Sequence, residues 1–230
     1  MISHAHGDHY GYLSEILKQF KVLALYLPGI AGLQKYQKSY AKSIQNQEKK
    51  AKKLGIPVVY LTTGDGFDVG HIHCDCVYQA PAGSLTEHDN HHFVNNQSIV
   101  TVFTLDGVGR VLLSGDLSNP GNRVFMMHVF IGRCDICKCG WHGDGNAMLT
   151  EWAEYVGDED TRWYWNYHHA MKKGGRGNTL KKLVKAGVPE KHVYRNYEDG
   201  DITFTYCDGL FSVTKSKDPA YKDTFTARKS

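Results

Sequence analysis

Apolar and polar positions recur along this chain with the two periodicities that are typical of strands and helices. Residues 22–27 and 58–61 are apolar runs bounded by glycine or proline, which is typical of buried strands. Residues 71–78 alternate, which predicts a strand with Cys74 and Cys76 on its buried side. Further strands are predicted at 98–103, 108–114, 134–139, 162–167, 201–206 and 210–214. Amphipathic helices are predicted at 10–18, 33–54, 122–130, 146–156 and 179–186. This order predicts a layered α/β fold.

Composition limits the class of protein without naming a function. With 230 residues, of which 41% are hydrophobic, the chain is long enough for one sizeable core. We expect a domain at 1–214 and a frayed polar tail at 215–230. A net charge of +3 is too small to indicate nucleic acid by itself. No apolar run has membrane-spanning length and no secretory signal is visible, so the prediction is a cytoplasmic protein without a membrane segment.

A dense set of metal-ligating residue types opens the chain, in the pattern H-x-H-x-D-H. His4 and His6 point the same way from an extended segment, and Asp8 and His9 follow the flexible Gly7. One metal can take the first pair and a second metal the other pair. Imidazole and carboxylate ligands suit zinc best, with manganese or iron as alternatives. A histidine-rich terminus or a tag is the competing interpretation, but a tag would not continue into an amphipathic helix.

Other candidate ligands follow predicted strands. Asp116 ends the strand at 108–114, where it is placed to bridge two cations, although a plain turn is the alternative. His142 stands in a glycine-flanked loop, and His168 and His169 end the strand at 162–167. The loop predicted at 82–96 holds three more histidines, which either decorate the surface or supply a missing ligand: His88, His91 and His92.

Three other patterns have a structural and a functional interpretation. Cys134, Cys137 and Cys139 resemble part of a zinc knuckle but lack a fourth ligand at the usual spacing. The lysines at 49–53 suit phosphate contacts or, more simply, a solvated helix face. The aromatic strand at 162–167 suits base stacking or core packing, and core packing is the stronger prediction.

The motif at residues 4–9, followed by Gly115-Asp116, resembles the metallo-β-lactamase superfamily. A closer resemblance, over residues 2–214, is to the hydrolase domain of ComEC-type DNA-uptake competence proteins and their soluble relatives. Its markers are residues 3–11, 55–65, 95–98 (Asn-Asn-Gln-Ser), 112–116 (Leu-Leu-Ser-Gly-Asp), 135–143 (Asp-Ile-Cys-Lys-Cys-Gly-Trp-His-Gly) and parts of 183–202. The resemblance implies a four-layer αββα sandwich with a one- or two-metal site at its edge. It also implies that Cys137 and Cys139 are core residues.

The sequence departs from the family pattern in three places. Trp141 stands where the first histidine of an H-H-G block is usual, which leaves His142 to act there. The superfamily's usual histidine between the first motif and Asp116 is replaced by the Asn-Asn-Gln-Ser stretch. The strands that normally precede the metal motif are missing, so we expect an N-terminally truncated version of the fold.

These ligands predict a hydrolase that uses a metal-bound hydroxide, with two zinc ions expected. Asp116 would bridge the metals or hold the second one, and Asp8 would bind metal and orient the hydroxide. His142, with His168 or His169, would complete the second site or protonate a leaving group. The candidate catalytic residues are therefore Asp8 and His142.

The resemblance favours a phosphodiesterase or nuclease, with single-stranded DNA or another phosphodiester as substrate. One alternative is a hydrolase of a small ester, lactone, thioester or amide. The other is a truncated, non-catalytic metal-binding domain that serves an unidentified partner protein.

Overall fold

The computed structural model describes residues 1–85, 91–166 and 177–228, and the statements below concern those ranges. Its helices are α1 (Gly7–Tyr10), α2 (Leu13–Gln19), α3 (Ala31–Tyr36), α4 (Lys38–Lys53), α5 (His91–Asn96), α6 (Asn119–His128), α7 (Thr150–Val156), α8 (Gly177–Lys185) and α9 (Asn196–Asp199). Its strands are β1 (Leu25–Pro28), β2 (Val58–Leu61), β3 (Gly66–Val69), β4 (Ile72–Tyr78), β5 (Val100–Leu105), β6 (Gly109–Leu113), β7 (Ile136–Lys138), β8 (Arg162–Trp165), β9 (Val193–Arg195), β10 (Ile202–Cys207), β11 (Leu210–Lys215) and β12 (Asp218–Thr226).

The strands form one large sheet and two small ones. The large sheet has seven strands in the order β3-β4-β5-β6-β7-β8-β9. Strands β3 to β6 pair antiparallel, and β6 to β9 pair parallel. The small sheets are the parallel pair β1-β2 and the antiparallel set β10-β11-β12.

Successive side chains of the central strands point to opposite faces of the large sheet, and both faces are buried. On one face, Leu112 and Trp163 pack in a core that includes Trp152 of α7. On the other face, Ile136 packs with Phe211 of β11. The small sheet β1-β2 covers another part of this second face, where the rings of Tyr26 and Phe67 stack 3.8 Å apart.

Helix α4 covers the outer side of β1-β2, and Leu27 of β1 and Ile44 of α4 are fully buried in one core. The layers are therefore α4, then the two small sheets, then the seven-stranded sheet, then α6 to α8. This confirms the predicted mixed α/β fold and its αββα order of layers. Among the described residues, no helix combines the length and apolarity that a membrane crossing requires.

Several predicted boundaries differ from the structure. The helix predicted at 10–18 is two short helices, because the backbone of Tyr12 is non-helical, with φ −88° and ψ 1°. The helix predicted at 33–54 is divided at Gln37, which has a non-helical φ of −141°. The loop predicted at 82–96 contains α5, so that part of the prediction is wrong.

Core packing explains the cysteines and the aromatic strand. Cys74, Cys76, Cys137 and Cys139 are buried, and all six cysteines of the chain are free thiols. The prediction that these four serve the core is confirmed. Trp163 and Trp165 are likewise buried, since β8 lies inside the large sheet.

The frayed tail predicted at 215–230 is wrong for most of its length, because it contains strand β12. Most side chains of β12 are exposed, which gave the segment its polar composition. Its inward positions nevertheless meet the large sheet: Asp223 accepts hydrogen bonds from Arg162 Nε at 3.0 Å and from the Tyr194 hydroxyl at 2.7 Å. Polar side chains with buried partners therefore hold this strand in place.

Removing the Asp223 carboxylate tests how firmly β12 is held. Asp223→Ala leaves the Arg162 guanidinium, which is only 6% exposed, without its ion-pair partner. Breaking a buried ion pair on one side is strongly destabilising, so we expect the free energy of unfolding in urea to fall by about 2–3 kcal/mol. Asp218→Ala, an exposed position of the same strand, is the control and should change it by less than about 0.5 kcal/mol. Equal effects of the two changes would contradict this role.

Arg228, just after β12, provides a test by pH. Its guanidinium hydrogen-bonds both carboxylate oxygens of Asp158 and holds the pKa of Asp158 to about 2. A carboxylate whose pKa is depressed on folding adds stability above its unfolded pKa of about 3.9. That contribution is lost as the pH falls toward 2. We expect the wild type to lose more stability between pH 4 and pH 2 than Asp158→Asn, measured by urea unfolding. Parallel pH curves for the two proteins would refute this.

Candidate metal centre

Six predicted ligands meet at the edge of the sandwich, although they are up to 138 positions apart in the chain. The N-terminal segment is held there by backbone hydrogen bonds from Ile2 N to Tyr26 O and from Ile99 N to Ser3 O, both 2.9 Å. The other two ligands follow β6 and β7. The six residues are His4, His6, Asp8, His9, Asp116 and His142.

Four of these residues form the tighter part of the cluster. Asp8, His9, Asp116 and His142 each offer a ligand atom within 4.8 Å of the others. Asp116 Oδ2 lies 3.3 Å from both His9 Nε2 and His142 Nε2. His142 Nε2 also lies 3.0 Å from Asp8 Oδ2. This half of the site has two imidazoles and two carboxylates facing one another.

The remaining two histidines adjoin this group through Asp116. His4 Nε2 is 3.0 Å from His6 Nδ1 and 4.0 Å from Asp116 Oδ2. Ligand atoms around a tetrahedral zinc ion lie about 3.3 Å apart, given Zn–N distances near 2.0 Å. The measured separations are close to that spacing in both halves. The spacing of these donor atoms therefore fits a divalent metal ion.

Hydrogen bonds behind three of the imidazoles determine which ring nitrogen faces the cluster. Ser3 Oγ lies 3.2 Å from His4 Nδ1 and 3.1 Å from His9 Nδ1, so it can accept from both rings. His142 Nδ1 lies 3.0 Å from the carbonyl oxygen of Asn166, to which it donates. With the proton on Nδ1, each ring presents the Nε2 lone pair to the cluster. Such outer contacts fix the tautomer that a metal requires.

Charge around Asp116 is unusually concentrated. Burial alone would raise the pKa of Asp116, but the imidazoles of His142 and His9 and the Lys138 ammonium hold it well below its usual range. Burial lowers the pKa of His4 well below its ordinary value. Burial also opposes protonation of His142, yet the neighbouring Asp116 raises the pKa of His142 overall. Asp116 is therefore ionised, and His4 is a neutral potential ligand.

Lys138 fixes the turn that delivers Asp116. Its ammonium donates to the carbonyl oxygens of Gly115 at 2.7 Å and Cys139 at 3.0 Å, and it lies 3.6 Å from Asp116 Oδ1. Because the lysine sits near Oδ1, the other carboxylate oxygen, Oδ2, faces the imidazoles. Lys138 thus joins the ends of β6 and β7 and orients their shared ligand.

The Asn-Asn-Gln-Ser stretch clamps the same turn from the other side. Asn96 Oδ1 accepts hydrogen bonds from Ser118 N at 2.9 Å, Ser118 Oγ at 3.0 Å and Gly121 N at 3.2 Å. Ser98 Oγ accepts from Asp116 N at 3.1 Å. Asn96 and Ser98 therefore act as positioning residues for Asp116.

Unpaired buried atoms test whether the cluster fits a cation. Asp116 Oδ1 and His9 Nε2 are buried, and within the described part of the chain neither makes a well-aligned hydrogen bond. Buried polar atoms are rarely left unpaired, so these orphaned donors and acceptors indicate a site built for an additional group. Imidazole and carboxylate atoms with orphaned lone pairs suit a divalent metal ion.

The structure places some of the predicted ligands together, and others lie outside the described residues. His4, His6, Asp8, His9, Asp116 and His142 come together, although their roles as ligands stay predictions. His168, His169 and His88 lie outside the described residues, as does the side chain of His91. His92 is turned to Trp141, with ring centroids 4.7 Å apart, and is not part of the four-residue cluster.

Sequence reasoning missed the residues that support the ligands. Ser3 and Lys138 received no role, although Ser3 adjoins the first histidine and Lys138 lies in the block that ends at His142. Asn96 and Ser98 were noted only as markers of a resemblance. The sequence signals these residues only by their positions beside segments that carry ligands. The hydrogen-bond partners of Asn96, Ser98 and Lys138 lie about 20 residues away in the chain.

Comparison with solved structures finds several similar chains, whereas the two comparisons of the sequence find none. The sequence matches no protein-family model, and it matches no curated protein. The structure is similar to the metallo-β-lactamase fold protein YhfI from Bacillus subtilis, with 13% sequence identity and a TM-score of 0.42. The similarity covers 84% of this chain and 72% of YhfI.

Zinc titration of the metal-free protein tests the cluster directly. We expect the wild type to bind two equivalents by calorimetry. Asp116→Asn should lose at least one equivalent and weaken the remainder by about 100-fold or more, because outer contacts alone are worth 10–100-fold in such sites. Asp201→Asn, an exposed position outside the cluster, is the matched control and should bind like the wild type. Equal zinc binding by the two variants would contradict the assignment.

Proposed function

We propose that the chain is a metal-dependent hydrolase, a phosphodiesterase or nuclease of the ComEC-like type that acts on single-stranded DNA or another phosphodiester. The observation that supports it most is the cluster of four imidazoles and two carboxylates around Asp116 Oδ2. Zinc is the expected metal, with manganese or iron as alternatives.

The charge of the cluster favours an anionic substrate. Asp8 and Asp116 are its only carboxylates, and Lys138 adds a positive charge beside Asp116. Two divalent ions would therefore leave a net positive charge at this edge. A phosphodiester, which is anionic at neutral pH, gains from that charge, whereas a neutral ester or lactone does not.

The two carboxylates differ in a way that suits different roles. The Asp116 side chain is 3% exposed, whereas the Asp8 side chain is 59% exposed. Asp116 would serve as the fixed ligand between the two halves of the cluster. Asp8 faces solvent, so its carboxylate would meet an incoming water molecule and orient it toward the phosphorus atom.

Bound zinc ions would lower the pKa of a water molecule and offset the charge that develops on the phosphate oxygens. Within the chain, His142 links the reacting face to the fold, because its Nδ1 donates to Asn166 O and its Nε2 faces Asp8. Ser3 holds His4 and His9 in the orientation that ligation needs. Each of these contacts would place a ligand before substrate arrives.

Phosphodiester hydrolysis by the zinc-loaded protein tests the proposal. We expect turnover of bis(p-nitrophenyl) phosphate and cleavage of single-stranded DNA, both abolished by a chelator and restored by zinc. Asp8→Ala should lower kcat by about 100-fold or more, in the range of a lost electrostatic or acid–base contribution. Asp201→Ala, on an exposed surface, should retain the wild-type rate.

Small neutral substrates separate this proposal from the other hydrolase classes. The same protein is assayed on a lactone, a thioester and p-nitrophenyl acetate. Faster chelator-sensitive turnover of these than of the diesters would overturn the phosphodiester assignment. A folded, zinc-loaded sample inert on every substrate would instead support a non-catalytic metal-binding role.

A further inference from the structure

A second feature of the structure is a cavity of about 640 Å³. It lies where β1, β2 and β4 end, and α4 forms one side of it. Its volume falls within the roughly 300–1,000 Å³ of small-molecule sites in proteins. None of the six clustered ligands lines it, so it is a separate compartment.

Apart from Glu48, the polar side chains that line the cavity are uncharged amides and hydroxyls. Gln97 lines it and is only 2% exposed, and its side-chain Nε2 has no hydrogen-bond partner among the residues that the structure describes. Gln45, Thr62 and Tyr60 also line it. A buried donor left unpaired is costly, so the free Nε2 indicates a ligand that accepts a hydrogen bond there.

The one carboxylate of the lining is already neutralised. Glu48 accepts a hydrogen bond from the Tyr60 hydroxyl at 2.8 Å and pairs with Lys52 at 2.6 Å. The cavity therefore offers no free charge of either sign to a ligand. It suits a planar, neutral group with several hydrogen-bonding atoms rather than a second phosphate.

Two glycines of the lining allow the side-chain amides of neighbouring glutamines to lie close to the backbone. A Cβ at Gly29 would lie 2.6 Å from Gln79 Oε1, and one at Gly32 would lie 2.4 Å from Gln97 Oε1. Gln79 in turn donates from Nε2 to Gly29 O at 2.7 Å and to Gln97 O at 3.3 Å. The amide groups are thus held in place before any ligand binds.

Short connections link this cavity to the metal-ligand cluster. Gln97 is two residues from Ile99, whose amide hydrogen-bonds Ser3 O next to His4. On α4, Tyr40 packs against the His6 ring at 5.4 Å, and Glu48 lies two turns further along, about 12 Å by helix geometry. A nucleoside joined to a phosphate at the cluster spans a distance of this order.

We propose that this cavity is a subsite for a nucleobase of the substrate, with Gln97 Nε2 donating to an acceptor atom on the base edge. The inference rests on the proposed phosphodiesterase activity for its purpose, and it names the substrate as a nucleotide diester rather than an arbitrary one. Unstacked bases are recognised through hydrogen bonds to their edges, and glutamine amides are among the side chains that pair with them.

Nucleoside binding to the metal-free protein tests the subsite apart from catalysis. Adenosine, guanosine, cytidine and uridine are titrated by calorimetry, with ribose as the probe that lacks a base. We expect at least one nucleoside to bind with a millimolar or tighter Kd and ribose not to bind. Gln97→Leu removes the donor and should weaken binding about 3- to 10-fold, the value of one hydrogen bond.

A half-buried and an exposed glutamine provide matched variants. Gln45→Leu changes the lining at a half-buried position and should also weaken binding, and it decides the matter if Gln97→Leu does not fold. Gln34→Leu, exposed on α3 and outside the lining, should bind like the wild type.

The proposal is overturned if no nucleoside binds the wild type, or if the folded lining variants bind as tightly as the wild type. Diester hydrolysis without nucleoside binding would defeat this inference alone, whereas nucleoside binding without hydrolysis would defeat the proposed function alone.

Discussion

The burial of one carboxylate organises this edge of the protein. Asp116 is 2% exposed, so its charge has lost nearly all contact with water. An isolated buried carboxylate would take up a proton, but imidazoles face its Oδ2 and the Lys138 ammonium lies near its Oδ1. Each of those partners comes from a different segment of the chain. The charge can therefore be kept only if the N-terminal segment, β6, β7 and the loop after β7 all assemble at one point.

The sandwich makes that assembly possible because its central strands are buried on both faces. Leu112 of β6 and Cys137 of β7 pack against the helices, whereas Val111 and Ile136 face the small sheet β10-β11-β12. Strands fixed on both faces cannot shift register without exposing apolar side chains. Their ends, and the ligands that follow them, consequently have defined positions. Strand β12 adds to this order from the outside, through the Asp223 ion pair with Arg162.

The pattern of apolar and polar residues within a short segment predicts those features that depend only on neighbouring residues. The alternation at 71–78 predicts the burial of Cys74 and Cys76, since one face of a strand must be apolar when it meets a core. The spacing of His4 and His6 predicts their proximity for a similar reason. Strand β12 is not predictable in this way, because its inward Asp223 is polar and its partners are Arg162 and Tyr194, remote in the chain.

Local pattern also fails to identify the residues that support the ligands, either because the residue type is common or because the partners are remote in the chain. Ser3 is one of many serines until His4 and His9 are seen to share its hydroxyl. Lys138 is an unremarkable lysine in a strand until the β6–β7 pairing brings Gly115 within reach. Ligand types at close spacing can be found from sequence. Contacts that orient them depend on register and on strand order, which emerge only from the whole fold.

The backbone at His142 is strained, and this strain also bears on metal binding. Trp141, His142 and Gly143 all have positive φ, at 41°, 52° and 79°. A left-handed conformation costs about 1–2 kcal/mol for a residue with a Cβ, and a Cβ at Gly143 would lie 2.7 Å from Trp165. This turn directs Nε2 of His142 to Asp8 and Asp116 while its Nδ1 reaches Asn166 O. The strained turn and the orphaned atoms of Asp116 and His9 are both costs that one bound cation would offset. Binding of a cation would therefore stabilise the folded chain at the edge where the candidate ligands meet.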